Sequence, residues 1–228
     1  MIRVELLDHM GSDVTVVNAA RVSMDKRTDS LRERDVNLIQ RLATDGHMSP
    51  FRHVYFQFRV QAPEFIARQA YKHVVGIATT SGVAYSNDAG WNEVSMRYVR
   101  MRECHVPTMW RRAPAEVRQG SSTTEQFTDA ENSEIAALYD SAMTKSIETY
   151  NALVDRGVAR EMARMVLPLS VMTQWIWTMS LQAVVHFVKL RHSSEAQQEI
   201  RELAHHMEEL VRPLVPISWE ALTKSIHV

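Results

Sequence analysis

HVYFQFRVQAP, residues 53–63, sets the class of the fold. Val54, Phe56, Phe58 and Val60 alternate with Tyr55, Gln57, Arg59 and Gln61. That is the period of a strand with one buried face and one partly polar face. Pro63 ends it, since a residue without an N–H cannot extend a ladder. EFIARQAYKH follows and reads as a short amphipathic helix. Phe65, Ile66, Ala70 and Val74 fall near one another at helical spacing, while Arg68, Lys72 and His73 project toward its end or its other face.

Upstream, Ile2 to Leu7 is apolar enough for a first strand, and Asp13 to Val17 reads as a second strand or a loop. In Asn18 to Arg27, Arg21 and Ser23 are polar residues in a small, apolar context that could face a ligand or an interface. Ser30 is placed to cap a helix reaching about Thr44, with Leu31, Leu38, Ile39 and Leu42 as its buried stripe and Gly46 as its stop.

Downstream, NEVSMRY packs Asn92, Glu93, Ser95, Arg97 and Tyr98 into one short block. Donors, acceptors and a carboxylate so close together suit a phosphorylated ligand; a solvated helix, a loop and an edge strand would account for the same types. Val99 to Pro114 reads as extended, then irregular, and Gly120 to Ser133 as a mobile polar loop. Glu134 to Val154 carries a long apolar stripe, Ala159 to Val166 a short helix, and Val171 to Leu190 a buried helix too polar at Gln174, Gln182, His186 and Lys189 to span a membrane. Ser194 is placed to cap the last long helix. A few strands followed by many helices predict an α+β fold, a mixed or antiparallel sheet flanked by long helices. The organisation expected is one catalytic domain over 1–228, sheet-rich to about residue 110 and helical from about residue 130.

A net charge of -1 gives no bulk attraction for nucleic acid or anionic membrane. Cys104 is the only cysteine, which excludes an internal disulfide and predicts a reducing, cytoplasmic setting. The N-terminus is too acidic for a secretion signal. Among 7 glycines there is no GxGxxG fingerprint, so a dinucleotide is not held by a Rossmann turn. The 10 histidines show no HExxH or Cys/His pairing, and no metal is expected. Arg68, Arg97, Arg164 and Arg191 each sit in or beside apolar sequence. An arginine so placed pairs with a carboxylate or binds a ligand anion.

NAARVSMDK, GHMSPFRHVYFQFRVQAPEFIARQ, NEVSMRY, GVAREMARMVLPLS and FVKLRHSSEAQQEI occur in that order. Together they resemble the blocks of the flavin-dependent thymidylate synthases over most of the chain. The resemblance implies a homotetramer with active sites at subunit interfaces, FAD reduced by NADPH, and methylene-tetrahydrofolate as carbon donor for converting dUMP to dTMP. By position it implies dUMP contacts at Arg68, Gln69, Glu93, Ser95, Arg97, Arg164 and Arg191. Arg191, polarising the pyrimidine, and Ser95 are the implied catalytic residues. Flavin positions fall on His47, Ser49, Lys72, His73, Val74, Ser180, Gln182 and His186.

The chain departs from the family on the flavin side. The usual Arg-His-Arg triplet reads Lys72-His73-Val74, and Ser95 follows later than in the family because most of VVGIATTSGVAYSNDAGW is inserted. Three usual Asn/Arg/Asn positions read Ser180, Gln182 and His186, and a usual Glu reads Arg52. Two alternatives therefore stay open: a related dUMP-modifying enzyme such as a hydroxymethylase, and a non-catalytic nucleotide-binding protein on the same scaffold.

Overall fold

The structure is a computed structural model that describes residues 1–73, 90–101, 103–114, 120–122 and 124–228. Its sheet is β1 (Arg3–Met10), β2 (Tyr55–Pro63), β3 (Gly90–Glu93) and β4 (Met172–Ser180), in the order β1-β2-β4-β3 with every pair antiparallel. The α+β expectation holds, and the alternation of β2 is realised: Phe56, Phe58, Val60 and Ala62 are buried.

β4 corrects the sequence reading. The first half of the Val171–Leu190 helix is an inner strand of the sheet, and the helix α6 begins only at Leu181 and ends at Arg191. Thr173, Trp175, Trp177 and Met179 face the core, and Ser180 caps α6 by accepting from the Ala183 N–H at 3.3 Å. The sheet thus takes a strand from the half expected to be helical, so the two halves interlock.

Asp13 to Val17 is neither strand nor loop but opens α1 (Asp13–Arg21), with Ser12 and Thr15 forming a capping box. The β-branched Val and Thr residues obscure that helix in the sequence. Arg21 is paired with the buried Asp35. α2 spans Glu33–Thr44, capped at Arg32 instead of Ser30 because Asp35 accepts from the Arg32 N–H at 2.9 Å. Gly46 stops the helix at φ +72°, a left-handed conformation that favours glycine.

α3 is Glu64–Tyr71. α4 runs Asp129–Asp155, so the last five residues of the expected 120–133 loop are helix, capped by Thr128 with Glu131. α5 (Arg160–Ala163) passes into a 3-10 turn at Arg164–Val166. α7 is Gln198–Val211, its N-cap at Gln197 instead of Ser194. A final helix α8, Pro216–Lys224, went unread in the sequence; Asp13 caps it by accepting from the Ile217 and Ser218 N–H groups at 3.1 and 2.8 Å. α6 packs against α7, and α8 against α2. Among the described residues, no helix is long and apolar enough to cross a membrane.

Candidate nucleotide site

β3 is short, and aromatic packing fixes it. Trp91 stacks on Trp175 with ring centroids 4.7 Å apart and meets Trp177 and Tyr71 edge-on. Gly90 is required there, because a Cβ would sit 2.8 Å from the Thr178 Cβ. Glu93 is thereby held at the end of the sheet, accepting from Thr173 Oγ1 at 2.6 Å and from Trp91 Nε1 at 3.4 Å.

Beyond Glu93 the chain turns, and a cavity of about 510 Å³ opens. Glu64, Glu93, Ser95, Arg97 and Arg164 line it, with Pro168 and Leu169. Ser95 Oγ accepts from Arg97 Nε at 3.2 Å. A second cavity of about 1020 Å³ lies across the same Pro168–Leu169 wall. Gln69, Arg191, Arg201, Tyr139 and Trp110 help to line it. Gln69 donates to Gln197 Oε1 at 2.8 Å. Arg191 leans toward Phe187, 5.9 Å from the ring centroid. Its Nε is buried without a partner, and burial presses against its charge.

The residues expected to contact the nucleotide therefore divide. Glu93, Ser95, Arg97 and Arg164 share the smaller cavity; Gln69 and Arg191 share the larger; Arg68 is exposed on α3 and lines neither. The arginines also answer the question their sequence context raised. Arg21, Arg100, Arg111 and Arg112 each have a carboxylate within 2.8 Å. Among the described residues, Arg68, Arg97, Arg164 and Arg191 have none within 4.0 Å. Cations left without counter-ions around cavities are available to a ligand anion.

Glu64, which lines the smaller cavity, and Thr173, which holds Glu93 there, went unread. Glu64 was assigned only as a helix start, yet its carboxyl lies beside that of Glu93 with one oxygen buried and unpartnered. Burial and the neighbouring Glu93 push the Glu64 carboxyl up to about 7, against the opposing pull of Arg68 and Arg164. Thr173 was hidden inside the misread helix.

On the side expected to hold a flavin, Val74 lies outside the described residues. His73 is buried, its Nε2 3.0 Å from the Ala183 carbonyl and its ring 5.2 Å from that of His186. Burial pushes His73 down to about 4, and lowers His186 as well, so both rings are neutral near pH 7. Gln182 accepts from Arg52 Nε at 2.6 Å, which ties α6 to the turn carrying Ser49. Ser180 serves as the α6 cap. His47, Ser49 and Lys72 are exposed, and His186 Nδ1 is buried without a partner. Polar groups thus remain for a flavin to meet: the neutral His186 ring suits its ring system, and the exposed basic side chain of Lys72 suits its pyrophosphate.

Cys104 is half-buried and burial raises its thiol, the opposite of an activated nucleophile. His192, His205 and Glu208 bring one ligand atom each to within 4.8 Å of one another. The α6–α7 packing creates that grouping, and the spacing along the chain does not show it; His192 is engaged with Glu208 at 3.4 Å.

The chain is similar to known proteins over nearly its whole length. The family model described as "Thymidylate synthase complementing protein" matches residues 5–217. A flavin-dependent thymidylate synthase of Thermus thermophilus is 38% identical over 224 residues, covering 98% of this chain and 76% of that protein. One of Thermosipho africanus is 36% identical over 220 residues, covering 96% and 90%. Among solved structures, the UMP/dUMP methylase PolB of Streptomyces cacaoi bound with 5-Br dUMP superposes with a TM-score of 0.83 at 31% identity, over 100% of this chain and 97% of that one. The same methylase bound with 5-Br UMP gives 0.80.

Proposed function

We infer the reaction from one premise: the chain belongs to the flavin-dependent thymidylate synthase family. On it we propose the reductive methylation of dUMP to dTMP, with methylene-tetrahydrofolate as carbon donor, FAD as hydride carrier and NADPH as reductant. The observation that carries this reading is the set of arginines without a carboxylate partner among the described residues, Arg97 and Arg164 at one cavity and Arg191 at its neighbour. In this assignment Arg97, Arg164 and Ser95 bind the phosphate, with Arg68 adding positive charge nearby, and Glu93 orients the sugar side. Gln69 and Arg191 take the pyrimidine.

C5 of a uracil is a poor nucleophile. A guanidinium held beside the ring stabilises the negative charge that develops on the ring oxygen as C5 attacks. Arg191 has the required unpartnered N–H, and the route does not call on a thiolate, in keeping with the raised Cys104. When bound, the flavin supplies the hydride chemistry; His47, Ser49, Lys72 and His186 are the residues proposed to meet it, with Ser180 and Gln182 shaping the helix behind. The split of the nucleotide residues between two cavities supports sites completed by other copies of the chain, in a homotetramer. One catalytic unit over the whole chain is the matching proposal for its organisation, since β4 joins the sheet from the helical half.

The test is tritium release from C5-labelled dUMP with FAD, NADPH and methylene-tetrahydrofolate, with product mass distinguishing methyl from hydroxymethyl. No release and no flavin absorbance would overturn the reading. A second reading, UMP as an alternative substrate, is favoured by the PolB structure bound with 5-Br UMP. Equal competition of UMP and dUMP in the same assay would support it.

A further inference from the structure

The smaller cavity poses an electrostatic problem. It is lined by arginines that pair with no carboxylate among the described residues, yet two carboxyls, Glu64 and Glu93, face the same space. If both were ionised they would repel the anion that Arg97 and Arg164 are placed to attract.

We propose that Glu64 is a specificity-determining residue of this cavity: it shares a proton with Glu93 and donates it to the bound phosphate, so that capture of the monophosphate takes up a proton from solvent. The inference rests on the nucleotide reading above and deepens it. Its geometry is fixed from several sides. The Glu64 backbone N–H donates to the Val171 carbonyl at 2.9 Å, which anchors the start of α3 against the cavity wall. Glu93 already accepts from Thr173 Oγ1 and Trp91 Nε1, so both its oxygens are engaged by donors. The two carboxyls line the same cavity as neighbours, and a proton on Glu64 removes the repulsion between them. One Glu64 oxygen is buried and has no partner among the described residues.

The charges facing Glu64 are Arg68 on its own helix, Glu93 on β3, Arg97 in the turn after β3, and Arg164 in the turn after α5. The cavity-lining residues between Leu167 and Val171 bring no ionisable group. Burial and Glu93 outweigh the arginines and place the carboxyl at about 7. A phosphate dianion adds negative charge within the same space and drives protonation further. The bound state then has a neutral carboxylic acid donating to a phosphate oxygen; the unbound state has a carboxyl half-ionised near neutrality. A nucleoside without phosphate would gain nothing from that proton.

The test is titration calorimetry of dUMP binding between pH 7 and 9, where the phosphate, with its second pKa near 6, is already a dianion. Wild type and Glu64→Gln are compared in buffers of different ionisation enthalpy, with deoxyuridine as the ligand lacking phosphate. Wild type should take up a proton on binding dUMP and not deoxyuridine, and should lose about tenfold in affinity per pH unit above the Glu64 value. Glu64→Gln, a permanent neutral donor, should bind with the low-pH affinity throughout and show no proton uptake. Glu64→Ala, its fold checked by thermal melting, should bind more weakly at every pH. Identical slopes and identical proton uptake in wild type and Glu64→Gln overturn the proposal while leaving the nucleotide reading intact. Failure of dUMP to bind either protein overturns both.

Discussion

Thr173 Oγ1 donates a 2.6 Å hydrogen bond to Glu93 Oε1, joining the buried face of β4 to the cavity end of β3. Thr173 is almost wholly buried while Glu93 reaches toward solvent. The hydroxyl therefore aims a carboxylate from inside the core. Thr173→Val keeps the shape and removes the donor. It should cost about 1 kcal/mol of stability and weaken dUMP binding roughly tenfold, measured by urea denaturation and calorimetry. Unchanged affinity would show that Glu93 needs no such aim.

The two cavities predict different kinetic signatures for their arginines. Arg164→Ala should raise KM for dUMP with little change in kcat, since a phosphate contact is made equally in the ground state and the transition state. Arg191→Lys keeps the charge but loses the planar fork. It should lower kcat by about a hundredfold. Steady-state kinetics on folded variants separates the two, and the opposite pattern would exchange the assigned roles.

Asp13 accepts two backbone N–H groups at the start of α8. Asp13→Ala removes a cap and should cost about 1–2 kcal/mol. That would lower the melting temperature by about 2–4 °C per kcal/mol for a chain of this size. Asp13 lines neither cavity, so KM for dUMP should not move.

His73 makes stability depend on pH. Its folded value, about 4, lies below the ordinary 6.5. Above 6.5 the ring is neutral in both states and pH has no effect through it. Between 6.5 and 4 the unfolded chain binds a proton that the folded chain does not, so stability falls as pH falls. The loss should approach roughly 3 kcal/mol by pH 4. Urea midpoints at pH 7.5, 6, 5 and 4.5 should show that slope in wild type and a shallower one in His73→Gln.

What the sequence disclosed follows physical lines. β2 was legible because its polar residues fall only on the outer face, giving a clean period of two. β4 was not: Met172 and Ile176 place apolar side chains on the outer face as well, so Thr173, Trp175, Trp177 and Met179 lose their contrast and the run merges with α6. The amphipathic stripes exposed α3, α4 and α7, whereas caps misled where a nearer carboxylate, Asp35, outcompeted Ser30. At the site, residue types identified the arginines but not their freedom from counter-ions. Arg21 and Arg97 look alike along the chain, and only folding gives Arg21 its partner from another helix. Glu64 needed the register of β3 on β4 before its neighbour could be known.

The wall shared by the two cavities carries a consequence of another kind. Pro168 has a fixed φ and no N–H to donate, and Leu169 beside it accepts from the Phe65 N–H at 2.9 Å through its carbonyl. The strip is thus stiff and pinned to α3. Such a strip fixes the spacing between the two cavities, and with it the span from the Arg97 and Arg164 side to the Arg191 side.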